Sequence, residues 1–297
     1  MIDGDYMKIL AFGEILWDVY PDKQYIGGAP LNFAAHLSKH NEEVYMLSAV
    51  GEDELGEKAL KQLNKWNIKA DYVSVLKDKQ TGKCLVTLNA EQVPSYNLLS
   101  DVAYDYINSE TIKDSFDVLY FGTLALRSEY NLKSLKGLIE IEKFREVFVD
   151  VNIRPPFYTA ETLKFAVGKA TILKISLEEL PIVADLLEIN AYGDYRNFAK
   201  ILKNKFTDLN CIIITLGADG AYAFECETEK ESFCECAKVE VKSTVGAGDS
   251  FSAAFLHKYL SGVDLALCTE YASAVAGFVV SNFDAVPEYI PSELNKN

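Results

Sequence analysis

The chain has 297 residues, 49% of them hydrophobic, enough to bury the core of one large α/β domain or two small ones. Its formal charge of −15 excludes a surface that tracks a nucleic-acid backbone or an anionic membrane, because the average face of the protein repels both. Six cysteines without paired CxxC spacing, and only three histidines, exclude a structural zinc site.

The opening MIDGDYM, with a tyrosine and two acids, does not resemble a signal peptide, so a cytoplasmic protein with reduced thiols is expected. Short apolar runs then alternate with amphipathic stretches. KILAFG reads as a strand and ILWDVYPDKQYIGG after it as strand-like; VYMLSAVG follows, then the helical EKALKQLNKW. Between Cys84 and Ile107 the aromatic-rich CLVTLNAEQVPSYNLLSDVAYDYI interrupts the alternation with a second strand-like region. DVLYFG, the helical LKSLKGLIEIEKF, EVFVDVN, TILKIS and CIIITLG restore it, and AYAFECETEKESFCECAKVEV reads as a hairpin at the sheet edge. The apolar Leu265–Val280 contains Glu270 and is shorter than the roughly 20 residues of a membrane span, so it reads as a buried helix. Buried runs alternating with helices predict an α/β fold, a mostly parallel central sheet covered by helices on both faces, as one domain over residues 1–297. Segments 14–30 and 84–107 are expected to form a small β-sheet lid over the strand ends, where such sheets bind ligands.

The stretch STVGAGDSF, Ser243–Phe251, carries the chemistry. A glycine-rich turn entering a helix leaves backbone N–H groups unpaired at the positive end of the macrodipole, which makes an anion site. Phe251, Phe255 and Tyr259 recur at helical spacing, so a helix is predicted with Asp249 as its first residue. No Lys-Ser or Lys-Thr follows the glycines, so this is not a P-loop. Taken alone, the tetrapeptide is more often an aspartate cap after a flexible turn. The chemical alternative is phosphoryl transfer: amides at Gly246, Ala247 and Gly248 stabilise the transferring group while Asp249 takes the proton of the attacking hydroxyl.

VGAGDSF, together with GGAPLNFAAHL at Gly27–Leu37, resembles the two signature regions of the PfkB (ribokinase-like) carbohydrate kinases. GEILWDVYP, GGAPLN, GEDELGE and DVNIRPPFY make the resemblance closest to the fructokinases. It implies an ATP-dependent, Mg²⁺-using sugar kinase, with fructose as the first substrate and 2-keto-3-deoxygluconate or ribose as alternatives. A sugar-sensing homologue without catalysis is the alternative of another class. Carried onto this chain, the resemblance makes Asp249 the general base and Gly246, Ala247 and Gly248 the anion hole. Asp18, Gly27, Gly28 and Asn32 face the sugar, where carboxylate and amide pair with hydroxyls and the glycines admit the ring. Arg154 follows a strand end within reach of sugar or phosphate. Thr215, Gly217 and Gly220 of TLGADG stand beside the ATP phosphates and ribose, and Ser273 stands on the adenine side. Glu179 in ISLEEL matches the acid that orders water around Mg²⁺, although Ser176 occupies the family's asparagine position. Ser243 stands where related kinases carry an aspartate of a monovalent-cation site, and Asp284 replaces a glycine near its other wall, so K⁺ activation is not expected. The exposed edges of the lid strands imply a homodimer formed through the lids.

Overall fold

The structure, a computed structural model, describes residues 7–88, 94–191 and 193–294. Its elements run β1 Lys8–Phe12, β2 Leu16–Val19, β3 Gln24–Gly27, α1 Ala29–Lys39, β4 Glu43–Gly51, α2 Glu54–Lys65, β5 Lys69–Leu76, β6 Gly82–Leu88 and β7 Pro94–Leu98. Then come β8 Val118–Phe121, α3 Glu129–Ile141, β9 Glu146–Asp150, α4 Ala160–Lys169, β10 Ile172–Ser176, α5 Leu180–Leu186 and α6 Tyr195–Lys205. Next come β11 Cys211–Thr215, β12 Ala221–Glu225, β13 Glu231–Cys234, α7 Ala247–Leu260 and α8 Leu265–Val280, and the described residues close with the single turn α9 Pro291–Leu294.

The large sheet has the order β13-β12-β11-β10-β9-β8-β1-β4-β5. From β11 to β5 every neighbouring pair is parallel, and β12–β13 is the antiparallel edge hairpin read from the sequence. Successive strand residues point to opposite faces. Leu10 and Phe12 therefore enter one core with residues of α3 to α6, while Ile9 and Ala11 enter the other with α1, α2, α7 and α8. Both faces of the central strands are covered, so β1, β8, β9, β10 and β11 are mostly apolar along their length. Helix starts follow local capping: Asp53, Thr159, Asp194 and Asp264 each accept a hydrogen bond from a first-turn amide.

A second, four-stranded sheet, β3-β2-β6-β7, stands beyond the strand ends. Residues 89–93 of the predicted segment lie outside the described residues. The segment does not continue as sheet to residue 107: after Leu98 the chain folds back into a short 3-10 turn at Ala103–Asp105, with Val102, Tyr104 and Ile107 fully buried. Asp105 pairs with Arg127 through two contacts of 2.8 and 3.0 Å, and Ile107 N–H donates to Asn131 Oδ1. These long-range bonds outcompete strand pairing for residues 99–107. At the other boundary, Ala29 and Pro30 already belong to α1.

Candidate active site

α7 enters the site through a backbone that only glycine accepts. Gly246 caps the helix with φ 80, and a Cβ there would lie 2.6 Å from the Ala285 carbonyl oxygen. The helix begins at Ala247, two residues earlier than expected, so Asp249 is its third residue rather than its first. The difference follows from the left-handed turn at Gly246, which lets Ser250 N–H bond to Gly246 O at 2.9 Å and so closes the first turn early. Ala247 N–H donates to Thr244 O at 3.3 Å. The amides of Gly246, Gly248 and Asp249 have no hydrogen-bond partner among the described residues. Three free N–H groups therefore meet the positive end of the helix dipole beside a carboxylate. Phe251, Phe255 and Tyr259 stack in succession and hold the far side of the helix in the core.

Asp249 is enclosed by protein but open to the cleft. Asn32 Nδ2, one turn into α1, donates to Asp249 Oδ2 at 2.8 Å, while Asn32 Oδ1 is buried without a partner. Loss of water, and then the negative charge of Asp150, push the Asp249 carboxyl up to about 6, against the Asn32 hydrogen bond and the charges of Lys174 and Arg154. Asp249 thus titrates near neutrality, where a general base works best.

One cleft of about 1800 Å³ is lined by every residue singled out in the sequence: Asp18, Gly27, Gly28, Asn32, Arg154, Glu179, Thr215, Gly217, Gly220, Gly246, Ala247, Gly248, Asp249 and Ser273. The register of the small sheet puts Tyr25, Asp18, Cys84 and Leu98 in one row across it, and all four line the cleft. Burial raises Asp18, opposed by a hydrogen bond from the Cys84 thiol and by Arg154. At the opposite end Thr215 closes β11, and Gly217 and Gly220 turn the chain into β12 with φ 60 and 120. A Cβ on Gly220 would strike Cys234 O at 2.0 Å. Ser273, on α8, is buried against this end. Glu179 bridges two strand ends, its Oε1 accepting from Ile153 N–H at 2.5 Å and its Oε2 from Ser176 N–H at 2.8 Å.

Three buried charged residues in the cleft were not read as functional from the sequence. Glu14 is 3% exposed, accepts from Ala29 N–H, and is pushed up to about 7, mainly by burial. Asp150 at the end of β9 and Lys174 in the middle of β10 form a buried ion pair of 2.8–2.9 Å. The signal was present in TILKIS, where a lone lysine interrupts an apolar strand. Such a charge stays buried only when paired.

Comparison with known proteins places this architecture. The chain is 27% identical over 256 residues to the deoxyribokinase of Salmonella typhi, covering 86% of this chain and 81% of that one. It shares its fold with the 2-dehydro-3-deoxygluconokinase of Thermotoga maritima (TM-score 0.84, 20% identity, 98% of each chain). The same holds for the ATP-bound fructokinase of Xylella fastidiosa (TM-score 0.82, 20% identity, 94% of each chain). The model of the pfkB family carbohydrate kinases matches residues 8–291, and with that match the chain belongs to this family of sugar-phosphorylating enzymes.

Proposed function

We propose that this enzyme transfers the γ-phosphoryl group of ATP to a hydroxyl of a neutral sugar, fructose first. The observation that carries this reading is the Asn32–Asp249 hydrogen bond of 2.8 Å beside unpaired amides at the start of α7. Asp249 takes the proton of the attacking sugar hydroxyl as its oxygen bonds to the γ-phosphorus. The bond to the β-phosphate oxygen breaks, and ADP leaves with that electron pair. The free amides and the dipole of α7 stabilise charge on the phosphoryl oxygens.

The sugar end has an excess of carboxyls. Glu14, Asp18 and Asp249 all feel the positive charge of Arg154, and Asp249 that of Lys174 as well. That balance repels an acid such as 2-keto-3-deoxygluconate or a sugar already phosphorylated, and it suits a polyol whose hydroxyls donate to carboxylates. Ribose and deoxyribose are the neutral alternatives. ATP occupies the end bounded by Thr215, Gly217, Gly220 and Ser273. The small sheet acts as a lid, and closure excludes water that would otherwise accept the phosphoryl group.

The donor set fits Mg²⁺. Each Glu179 oxygen accepts one backbone N–H and keeps a lone pair for a metal-bound water. An ion that draws most of its ligands from phosphates and water needs no protein cage, and none of three or more such side chains occurs among the described residues. Bound Mg²⁺ would neutralise phosphate charge. Ser243 offers a neutral hydroxyl, which accepts from Val245 N–H, where a carboxylate would bring formal negative charge, so turnover should change little when K⁺ replaces a bulky organic cation. The enzyme works in the cytoplasm as a homodimer joined through the small sheets.

Coupled ADP release across fructose, ribose, deoxyribose and 2-keto-3-deoxygluconate tests the assignment. Fructose should give the highest kcat/KM, and the acid sugar turning over fastest would overturn it.

A further inference from the structure

The buried lysine on β10 stands in a place that ordinary packing disfavours. Lys174 is 5% exposed, and two of its N–H bonds go to the two oxygens of Asp150 at 2.9 and 2.8 Å. The third has no hydrogen-bond partner among the described residues. Its ammonium comes so close to the first turn of α7 that a Cβ built on Gly248 would lie 3.2 Å from Nζ. A cation beside the positive end of a helix is repelled by the dipole, and more strongly where water is excluded. Asp150 offsets that cost, and Ser252 helps to fix it: the Ser252 hydroxyl lies within 3.0 Å of Asp150 Oδ2 and 2.9 Å of Gly248 O. Lys174, Asp150 and Gly248 all line the cleft. Ammonium and free amides thus converge from two elements on one point, which attracts an anion more strongly than either alone.

We propose that Lys174 is a catalytic residue, whose unpaired N–H donates to the transferring phosphoryl group across Gly248 while Asp150 holds the ammonium in place. Gly248 is then required for approach, since any side chain would separate the ammonium from the amides. No covalent step is added. The charge that builds on the phosphoryl oxygens as the γ-phosphorus passes from ADP to the sugar meets a fixed positive group. The inference rests on the reading of the α7 N-terminus as the phosphoryl site.

Removing Lys174 alone would strand the buried Asp150 charge, so the test uses the uncharged double variant Lys174→Met with Asp150→Asn. It should fold, keep its affinity for sugar and ADP within about threefold, and lose on the order of 10²–10³-fold in kcat, the usual size of a lost transition-state donor. Affinity for ADP with aluminium fluoride, a mimic of the transferring group, should fall by a similar factor, a loss that a merely structural role would not confine to the mimic. Should that variant not fold, Lys174→Gln with Asp150→Asn, which keeps a hydrogen bond across the pair, carries the test with the same expectation. A kcat within threefold of the wild type, or equal losses for ADP and for the mimic, would overturn the role of Lys174. Asp249→Asn distinguishes the premise: if that variant turns over normally, the phosphoryl site itself is misplaced.

Discussion

Asp249 and Glu14 are carboxyls that the site keeps close to neutrality, and each has its own consequence. A base must be ionised to accept a proton, so kcat/KM for the sugar should fall about tenfold per pH unit below about 6. The groups facing Asp249 include Asn32 from α1, Glu14 from the turn after β1, Tyr120 from β8, Asp150 from β9, Lys174 from β10 and Arg154 from the loop after β9. Asn32 lowers the Asp249 carboxyl by donating to it, so Asn32→Leu should move the acidic limb upward in pH, besides raising KM. A limb that stays in place would assign it to another group. Asp249→Asn should lose about 10²–10⁴-fold in kcat with sugar binding retained; near-normal turnover would remove the base from the mechanism. Glu14 reads out in stability. Its carboxyl is raised from 4.5 to about 7, so the folded state binds more protons than the unfolded state between those values, and stability is lost as pH rises through that window. Glu14→Gln keeps an acceptor for Ala29 N–H and carries no charge. Its unfolding free energy should match the wild type near pH 4 and exceed it by up to about 3 kcal/mol at pH 8, as measured by denaturant titration. A difference independent of pH would show that Glu14 is not the buried acid described.

At the scale of elements, the turn into α7 decides the geometry of catalysis. Gly246→Ala places a methyl group against Ala285 and forces a left-handed φ on a residue that resists it, which costs about 1–3 kcal/mol in strain or displaces the free amides. The variant should melt lower and lose kcat more than sugar affinity; unchanged kinetics in a folded variant would take the anion hole out of this turn. The turn also shows why some features were legible in sequence and others were not. VGAGD is local, so its glycines, its helix and its carboxylate could be read from neighbouring residues. The strands of the large sheet were legible because burial on both faces leaves an unbroken apolar run. Residues 99–107 misled because their fate is set by Arg127 and Asn131, more than twenty positions away, through bonds that no local pattern announces. The Lys174–Asp150 pair and the grip of Asn32 on Asp249 likewise join residues 24 and 217 positions apart. TILKIS displayed its lysine, but only the order of β9 and β10 in the sheet reveals what that lysine meets.

Over the whole molecule, the small sheet is the part least supported by the chain itself. Its own buried cluster is Leu16, Cys84, Val102 and Tyr104, while the large sheet sits between two extensive cores. One face of it turns Asp18, Cys84 and Tyr96 to the cleft. Leu85 points the other way and is 36% exposed, paired in register with Val19 and Asn97. A thin sheet with an apolar residue on its outer face gains stability when a second copy covers it, and an isologous contact brings the same face from each subunit. Light scattering should therefore give twice the mass of the 33.1 kDa chain. Each subunit carries −15, so the two repel over distances that salt screens, and the dimer should tighten as ionic strength rises. Leu85→Asp adds a charge to the covered face without entering the cleft. It should yield monomers whose KM for the sugar rises more than kcat falls, because the wall that carries Asp18 loses its outer support while Asp249 and the α7 turn stay packed on the large sheet. A wild-type monomer with full sugar affinity, or a Leu85→Asp enzyme still dimeric, would place the subunit contact elsewhere.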